Sequence, residues 1–358
     1  MTLSKKYAPG TGYRRKASGK TVVGMGALLA VFLFLNQGRC QNLYNHYDDG
    51  KVKVIKGTVQ QDVVVARDGS GDFIYLADAI EALRVYLPHP VTVMIRPGIY
   101  VEKVEIPATL TNVTFKGAGA DQTIIRYDDY AGKAKIGTFD SYTLKVSGSS
   151  LRFEDLTIEN SAGPVGQAVA LHADGDRLVF ENCRFIGNQD TMFAAGEGSR
   201  QYFRNCYIEG TTDFIFGGAT AVFDHCIIHS KKDSFITAAS TPKHVKYGYV
   251  FKNCQLTSEH EVKKVYLGRP WRPYAKTVFV NCEMGDHIVP RGWHNWGNPE
   301  NEKTAFYAEL NSNGPGAEQD QRVAWSVQLD GQHSTAYSLD EIFKRVEERS
   351  DGELQWYK

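Results

Sequence analysis

The chain has 358 residues, with 41 Lys+Arg against 41 Asp+Glu and a formal charge of zero. That balance argues against a nucleic-acid binder, which usually needs a basic excess to neutralise phosphates. A 42% hydrophobic and 23% charged composition belongs to a folded soluble protein rather than a disordered one, and 34 Gly against 12 Pro suits a turn-rich β protein better than a helical bundle.

The first 40 residues stand apart. They carry Lys5, Lys6, Arg14, Arg15, Lys16, Lys20 and Arg39 and no acid, and Val22 to Leu35 forms a 14-residue apolar run. A basic region followed by a short apolar core is the layout of a secretory leader, and the run is short for a membrane-spanning helix. Export is therefore expected, whether secreted, periplasmic or cell-surface, with an uncleaved anchor as the alternative. Cys40 sits where a lipoprotein cysteine could sit, although Arg39 before it fits a lipobox poorly. Without this leader 34 basic residues face 41 acidic ones. Residues 41–61 read as a polar lead-in, 62–348 as one domain, and 349–358 as a tail.

Residues 75–87 predict an amphipathic helix, with Leu76, Ala79, Ile80, Leu83 and Leu87 on one face. Beyond it a short motif recurs: Phe180-Glu181-Asn182-Cys183, Phe203-Arg204-Asn205-Cys206, Phe223-Asp224-His225-Cys226, Phe251-Lys252-Asn253-Cys254 and Phe279-Val280-Asn281-Cys282. An earlier copy, Phe153-Glu154-Asp155-Leu156, has Leu in place of Cys. The Phe-to-Phe spacings are 27, 23, 20, 28 and 28 residues. One β-rich unit per 20 to 28 residues, with no intervening helix, is a solenoid signature. The fold class expected is all-β, a parallel β-helix whose open first coil is capped by the helix. Asn or His between two inward-facing residues suits a bend, because Asn tolerates left-handed dihedrals. The cysteines then form a buried stack; disulfides between neighbouring coils are the competing arrangement. Ser338 before Leu339-Asp340-Glu341 starts a C-terminal helix, with Glu341 placed for a capping box.

Stacked coils bring equivalent positions to about 4.8 Å, the spacing of neighbouring strands. Asp190 lies ten residues after Phe180, and Asp213 ten residues after Phe203. In register, these two carboxylates are neighbours, and like charges so close push one pKa up. The result is one protonated acid and one carboxylate near neutrality, which suits acid–base catalysis. Two solvated loop aspartates are the alternative that spacing alone leaves open.

The surrounding segments are Gly187-Asn188-Gln189-Asp190-Thr191, Gly210-Thr211-Thr212-Asp213-Phe214-Ile215-Phe216-Gly217, Ala162-Gly163-Pro164 followed by Gln167-Ala168-Val169-Ala170-Leu171, and Leu267-Gly268-Arg269-Pro270-Trp271. Together with Asp68-Gly69-Ser70-Gly71-Asp72-Phe73, Gly292-Trp293, Tyr307-Ala308-Glu309 and Gly314-Pro315-Gly316-Ala317, they make residues 62 to about 330 resemble the pectin methylesterases. The resemblance implies a right-handed parallel β-helix and hydrolysis of galacturonate methyl esters in pectin. It implies that Asp213 is the nucleophile, that Asp190 is the general acid and base, and that Gln167 and Gln189 are oxyanion donors. It also implies that Arg269 orients the nucleophile, and that Trp271, Phe216 and the weaker candidate Phe193 line a sugar-binding groove. Gln189 directly precedes Asp190, so a bend is required there, and Gly187-Asn188 offers one. Trp293 and Trp296 suit either core or site and are left out of the site. The expected partner is methylated homogalacturonan; a monomer is the default, and no metal or cofactor is expected.

Three features depart from the family pattern. His172 stands where Arg is common, Ala195 stands near a position often held by His, and Gly196-Glu197-Gly198-Ser199 lengthens the segment between the acids. They bear on substrate preference more than on reaction type. The competing functions are a pectin-cleaving lyase or glycosidase, since two close carboxylates also suit a retaining glycosidase, and a non-catalytic polysaccharide-binding solenoid. A serine esterase is disfavoured because no Gly-x-Ser-x-Gly elbow occurs.

Overall fold

Each sequence repeat builds one coil of three short strands. In the coil that carries Asp190 these are Leu178–Glu181, Arg184–Ile186 and Met192–Ala194. Coil upon coil, the strands form three parallel sheets of 11, 8 and 7 strands, here called the first, second and third. This is the parallel β-helix expected from the repeat, with the right-handed coil that the resemblance implies. The computed structural model describes residues 56–344 and 355–358, all within the compact unit Val54–Lys358. The leader, Cys40 and residues 41–55 lie outside the described residues. Among the described residues no helix is long and apolar enough to cross a membrane.

The corner between first and second sheets is made by the third residue of each motif. Asp155, Asn182, Asn205, His225, Asn253 and Asn281 all have φ between 52° and 56°, the left-handed region that Asn and Asp enter at least cost among residues with a Cβ. Turning the chain there lets both the Phe and the Cys face inward. The Phe rings stack along the axis at centroid separations from 5.1 Å for Phe115–Phe153 to 4.5 Å for Phe251–Phe279. Phe115 belongs to this ladder although Lys116-Gly117 follows it, which hides it from a search for the motif. The five cysteines of the repeat are buried and free, so the disulfide alternative is not realised. Each thiol instead donates to the carbonyl oxygen of the preceding coil's Phe, as from Cys254 to Phe223 at 3.3 Å.

The ends are closed differently. The N-terminal helix spans Leu76–Ala82 and buries Leu76, Ala79, Ile80 and Ala82, so it is shorter than the predicted 75–87. Leu83 is already extended and bridges to Val59, while the Arg84 N–H donates to the Val59 carbonyl. Pairing with the incoming chain replaces the last helical turns, and Leu83 and Leu87 stay buried without it. The buried Glu102 caps the helix by accepting the N–H groups of Leu76 and Ala77, which places a carboxylate against the positive end of the helix. At the other end the Phe ladder stops at Glu309, which pairs in register with Phe279. Its side chain is fully buried and meets the buried Arg322, 2.7 Å from Oε1 to Nε.

The C-terminal helix runs Leu339–Phe343, and the Ser338 hydroxyl accepts the Glu341 N–H as its N-cap. Tyr337, Ile342, Phe343 and Tyr357 cover the outward apolar residues Val179, Tyr202, Val222, Val250 and Val278 of the first sheet. Arg152 donates to the carbonyl oxygen of Lys358 at 2.7 Å. The third sheet is left uncovered by this arrangement, and the site lies on it.

Candidate active site

The site begins with register. Met192 pairs with Ile215 across neighbouring strands of the third sheet, and two residues before each stand Asp190 and Asp213. The Asp190 N–H donates to the Thr212 carbonyl and the Asp213 N–H to that of Phe235, so both aspartates are stitched into the stack of coils. Both are buried, 5% and 6% exposed. Both also have positive φ, 64° and 49°. The bend expected at Gly187-Asn188 therefore occurs at Asp190 itself, and that is how adjacent Gln189 and Asp190 can serve one site. Gly187 is needed for space: a Cβ there would lie 2.6 Å from the Thr191 hydroxyl oxygen.

The two carboxyls have different surroundings. Arg269 approaches Asp213 with both edges of its fork, Nε to Oδ1 at 2.9 Å and Nη2 to Oδ2 at 2.6 Å. Burial raises the Asp213 pKa above the ordinary value, and Arg269 pulls it back. Asp190 is pushed up to about 7, first by burial and then by the charge of Asp213. The side-chain amides of Gln167 and Gln189 favour its charged form but do not cancel the rise. One acid is therefore paired with a cation that favours its ionised form and partly offsets burial, while its neighbour is pushed up to about 7.

Gln167 and Gln189 stack as a bridge between adjacent coils. The Gln167 side-chain oxygen, Oε1, accepts the Thr138 hydroxyl at 2.9 Å, which turns the amide N–H groups away from Thr138.

Along the outward face of the third sheet, strand pairing aligns Lys145, His172, Phe193, Phe216, Ala238 and Arg269 in one column. Phe193 and Phe216 stack at 4.6 Å, and the Trp271 ring lies 6.0 Å from Phe216. Phe216 is 4% exposed, so it forms the floor under Phe193 and Trp271 rather than a free wall. Phe139, which lies outside every copy of the motif, joins this surface 4.9 Å from Phe193 and is 45% exposed. His172 points its Nδ1 at the Phe139 carbonyl oxygen, at 3.0 Å, and its ring packs edge-on against Phe193.

The two unassigned tryptophans separate. Trp293 is buried and packs on Tyr307, which makes it core. Trp296 is partly exposed, and its ring covers the Arg269 guanidinium at 3.7 Å, with the Phe235 ring at 3.9 Å. Neither Phe235 nor Trp296 has a sequence signal pointing to the site; Phe235 is found only through its register beside Asp213. Among the described residues no group of three or more His, Cys, Asp or Glu is arranged to hold a metal ion.

Residues 62–344 match the family model described as Pectinesterase. The chain is 39% identical over 278 residues to Pectinesterase 31 of Arabidopsis thaliana, covering 75% of this chain and 87% of that one. It spans about half the length of relatives named as pectinesterase/pectinesterase inhibitor; one from Brassica napus, 39% identical, is covered over 48% of its length, against 75% of this chain. Among solved structures, the pectin methylesterase from carrot has a TM-score of 0.75 at 29% identity, with 82% of this chain and 95% of that one covered. By the match of this family model over most of the β-helix and by these relatives, the chain belongs to the pectinesterase family, the carboxylic ester hydrolases that remove methyl groups from pectin.

Proposed function

We propose that this pectinesterase hydrolyses galacturonate methyl esters of pectin through an aspartyl acyl-enzyme, with Asp213 as nucleophile and Asp190 as proton donor and acceptor. The observation that carries the assignment is the unequal environment of the two carboxyls: Asp213 is paired with Arg269, and Asp190 titrates near 7.

In the first half-reaction an Asp213 oxygen attacks the ester carbonyl carbon. Amide N–H groups of Gln167 and Gln189 stabilise the negative oxygen that develops, an effect worth about 3–4 kcal/mol per donor in other enzymes. Collapse breaks the bond to the methoxy oxygen, the proton of Asp190 goes to that oxygen, and methanol leaves. The galacturonyl group is then joined to Asp213 as an anhydride. In the second half, the Asp190 carboxylate takes a proton from water, whose oxygen attacks the carbonyl carbon. The free galacturonate leaves, Asp213 is a carboxylate again, and Asp190 is again protonated.

Phe193, Trp271 and Phe139 offer flat apolar faces against which sugar rings pack. With an excess of acidic residues once the leader is discounted, bulk attraction does not draw the protein to a polyanion, so recognition rests on these aromatic faces and on methylated stretches. The basic and apolar character of residues 1–40 supports export to where pectin is found. A methylated pectin assay tests the proposal: methanol release without new reducing ends or unsaturated products is expected, and chain cleavage or no product would overturn it.

A further inference from the structure

Arg269 is held more tightly than its ion pair with Asp213 requires. Its guanidinium lies between two aromatic rings, Phe235 at 3.9 Å on one side and Trp296 at 3.7 Å on the other. A planar guanidinium stacks well on aromatic faces, and two such faces leave it free to reach out only at its edge. That edge carries the two N–H groups given to Asp213.

The aromatic partners are themselves anchored. The Phe235 carbonyl oxygen accepts the Asp213 N–H at 2.8 Å, so one residue positions the main chain of the acid and the side chain of its cation. The Phe235 ring also stacks on Tyr266 at 5.2 Å and packs against His294 at 5.4 Å. Trp296 has φ of 63°, a conformation that a bulky side chain rarely adopts and that surrounding structure must enforce. Here the Trp296 N–H donates to His294 Nδ1 and the Gly297 N–H to Asn295 Oδ1, while the Asn295 amide is tied to Glu302 and its carbonyl oxygen accepts from Asn301. A loop braced at every residue presents a strained tryptophan to one arginine. At 37% exposure Trp296 contributes little to the core, so packing alone does not account for this construction.

We infer that Trp296 and Phe235 are positioning residues that clamp the Arg269 guanidinium in the plane of the Asp213 carboxylate, keeping the carboxylate ionised and aimed. The inference rests on the reading of Asp213 as nucleophile. The charged and titratable groups around the pair are Asp190 on the preceding coil, the buried Tyr307, whose ionisation is opposed by Asp213, and on the braced side His294 and Arg291. Arg269 makes the direct bonds to Asp213, so loosening it acts on the carboxylate itself.

The test compares Trp296→Leu, Trp296→Phe and Phe235→Leu with the unaltered protein in methanol release from methylated pectin, across pH and with thermal melts. Loss of one ring is expected to lower kcat about 10-fold, with KM changed less than about 3-fold, because the contact acts on transition-state geometry rather than on substrate binding. The acid limb of the pH profile should move to higher pH, since a loosely held Arg269 lowers the Asp213 pKa less. Trp296→Phe should restore most of kcat and return the acid limb. If Trp296→Leu keeps both kcat and the acid limb, the ring is mere cover and the inference fails. It also fails if KM rises at constant kcat, which would make Trp296 a substrate contact. Asp213→Ala, run in parallel, separates the two claims: activity surviving there overturns the nucleophile itself, whereas an inactive Asp213→Ala beside a normal Trp296→Leu overturns the clamp alone.

Discussion

Asp213 is bound at both carboxylate oxygens by Arg269, while Asp190, one coil earlier in the same register, meets the amides of Gln167 and Gln189 instead. In the proposed mechanism that difference splits two chemically identical residues into a nucleophile and an acid. Asp213→Ala should lower methanol release by at least about 10³-fold with the melting transition retained, as expected if Asp213 forms the proposed covalent bond. Arg269→Lys keeps the charge but cannot present two parallel donors, so an intermediate loss of about 10- to 100-fold is expected. Equal activity in Arg269→Lys and the unaltered protein would show that charge alone suffices.

Activity should depend on pH through both acids. In the proposed mechanism Asp190 must be protonated to release methanol, and its pKa of about 7 places the decline of kcat/KM above neutrality. Asp213 must be ionised to attack; burial raises its pKa, so activity should fall on the acid side earlier than for an ordinary aspartate. Because the two groups are coupled, the limbs belong to the pair. A pH–rate profile flat from 7 to 9 would contradict the assignment of Asp190 as the acid.

Much of this architecture is legible in the sequence because the solenoid repeats its constraints. Each Phe-x-Asn-Cys unit encodes a ring for the ladder, a left-handed corner and a small buried residue, so one copy predicts the others. The register of Asp190 with Asp213 follows from counting back to Phe180 and Phe203. Features that occur once are not legible in this way. Glu309 takes the Phe position one coil beyond Phe279, and nothing local says that Arg322 will neutralise it. Leu83 has helical spacing yet leaves the helix, because pairing with Val59 outweighs a few tenths of a kcal/mol of propensity. Phe235 and Trp296 reach the site from segments with no motif, and only the stacking of coils shows what they touch.

Removing the Asp190 carboxyl should stabilise the fold while abolishing turnover. Its folded pKa is raised, so the proton is held more tightly in the folded state, and that contribution is lost as pH rises through about 7. Relative to the unfolded chain, Asp190 therefore costs nothing at pH 3, where it is protonated in both states, and up to about 4 kcal/mol above pH 7, where it is ionised. Asp190→Asn should raise the melting temperature at pH 8 by several degrees and change it much less at pH 4. An equal shift at both pH values would mean that the substitution acts through packing.

The cysteine stack makes a chemical prediction. Cys183, Cys206, Cys226, Cys254 and Cys282 are free and buried, and burial raises the Cys183 thiol to about 12. A thiolate-directed reagent should leave these five unmodified in the folded protein and label all five after unfolding. Rapid labelling of any of them under native conditions would mean that the coils open locally.

Glu309 and Arg322 test how the Phe ladder is ended. Both side chains are essentially buried, and Arg322 also donates to the carbonyl oxygens of Pro290 and Gly316. Replacing one partner strands a buried charge, a change that typically costs about 3–5 kcal/mol, whereas replacing both with apolar groups is often neutral. The ladder suggests which groups to use, because Glu309 occupies the position that Phe279 holds one coil earlier. Glu309→Phe alone leaves Arg322 unpaired, and Arg322→Met alone leaves Glu309 unpaired, so each should be strongly destabilised in urea unfolding. The double variant extends the aromatic stack by one ring and removes both charges, and it should recover most of the loss. If the single losses simply add, the two residues are not coupled, and the end of the solenoid is held by the backbone contacts of Arg322 instead.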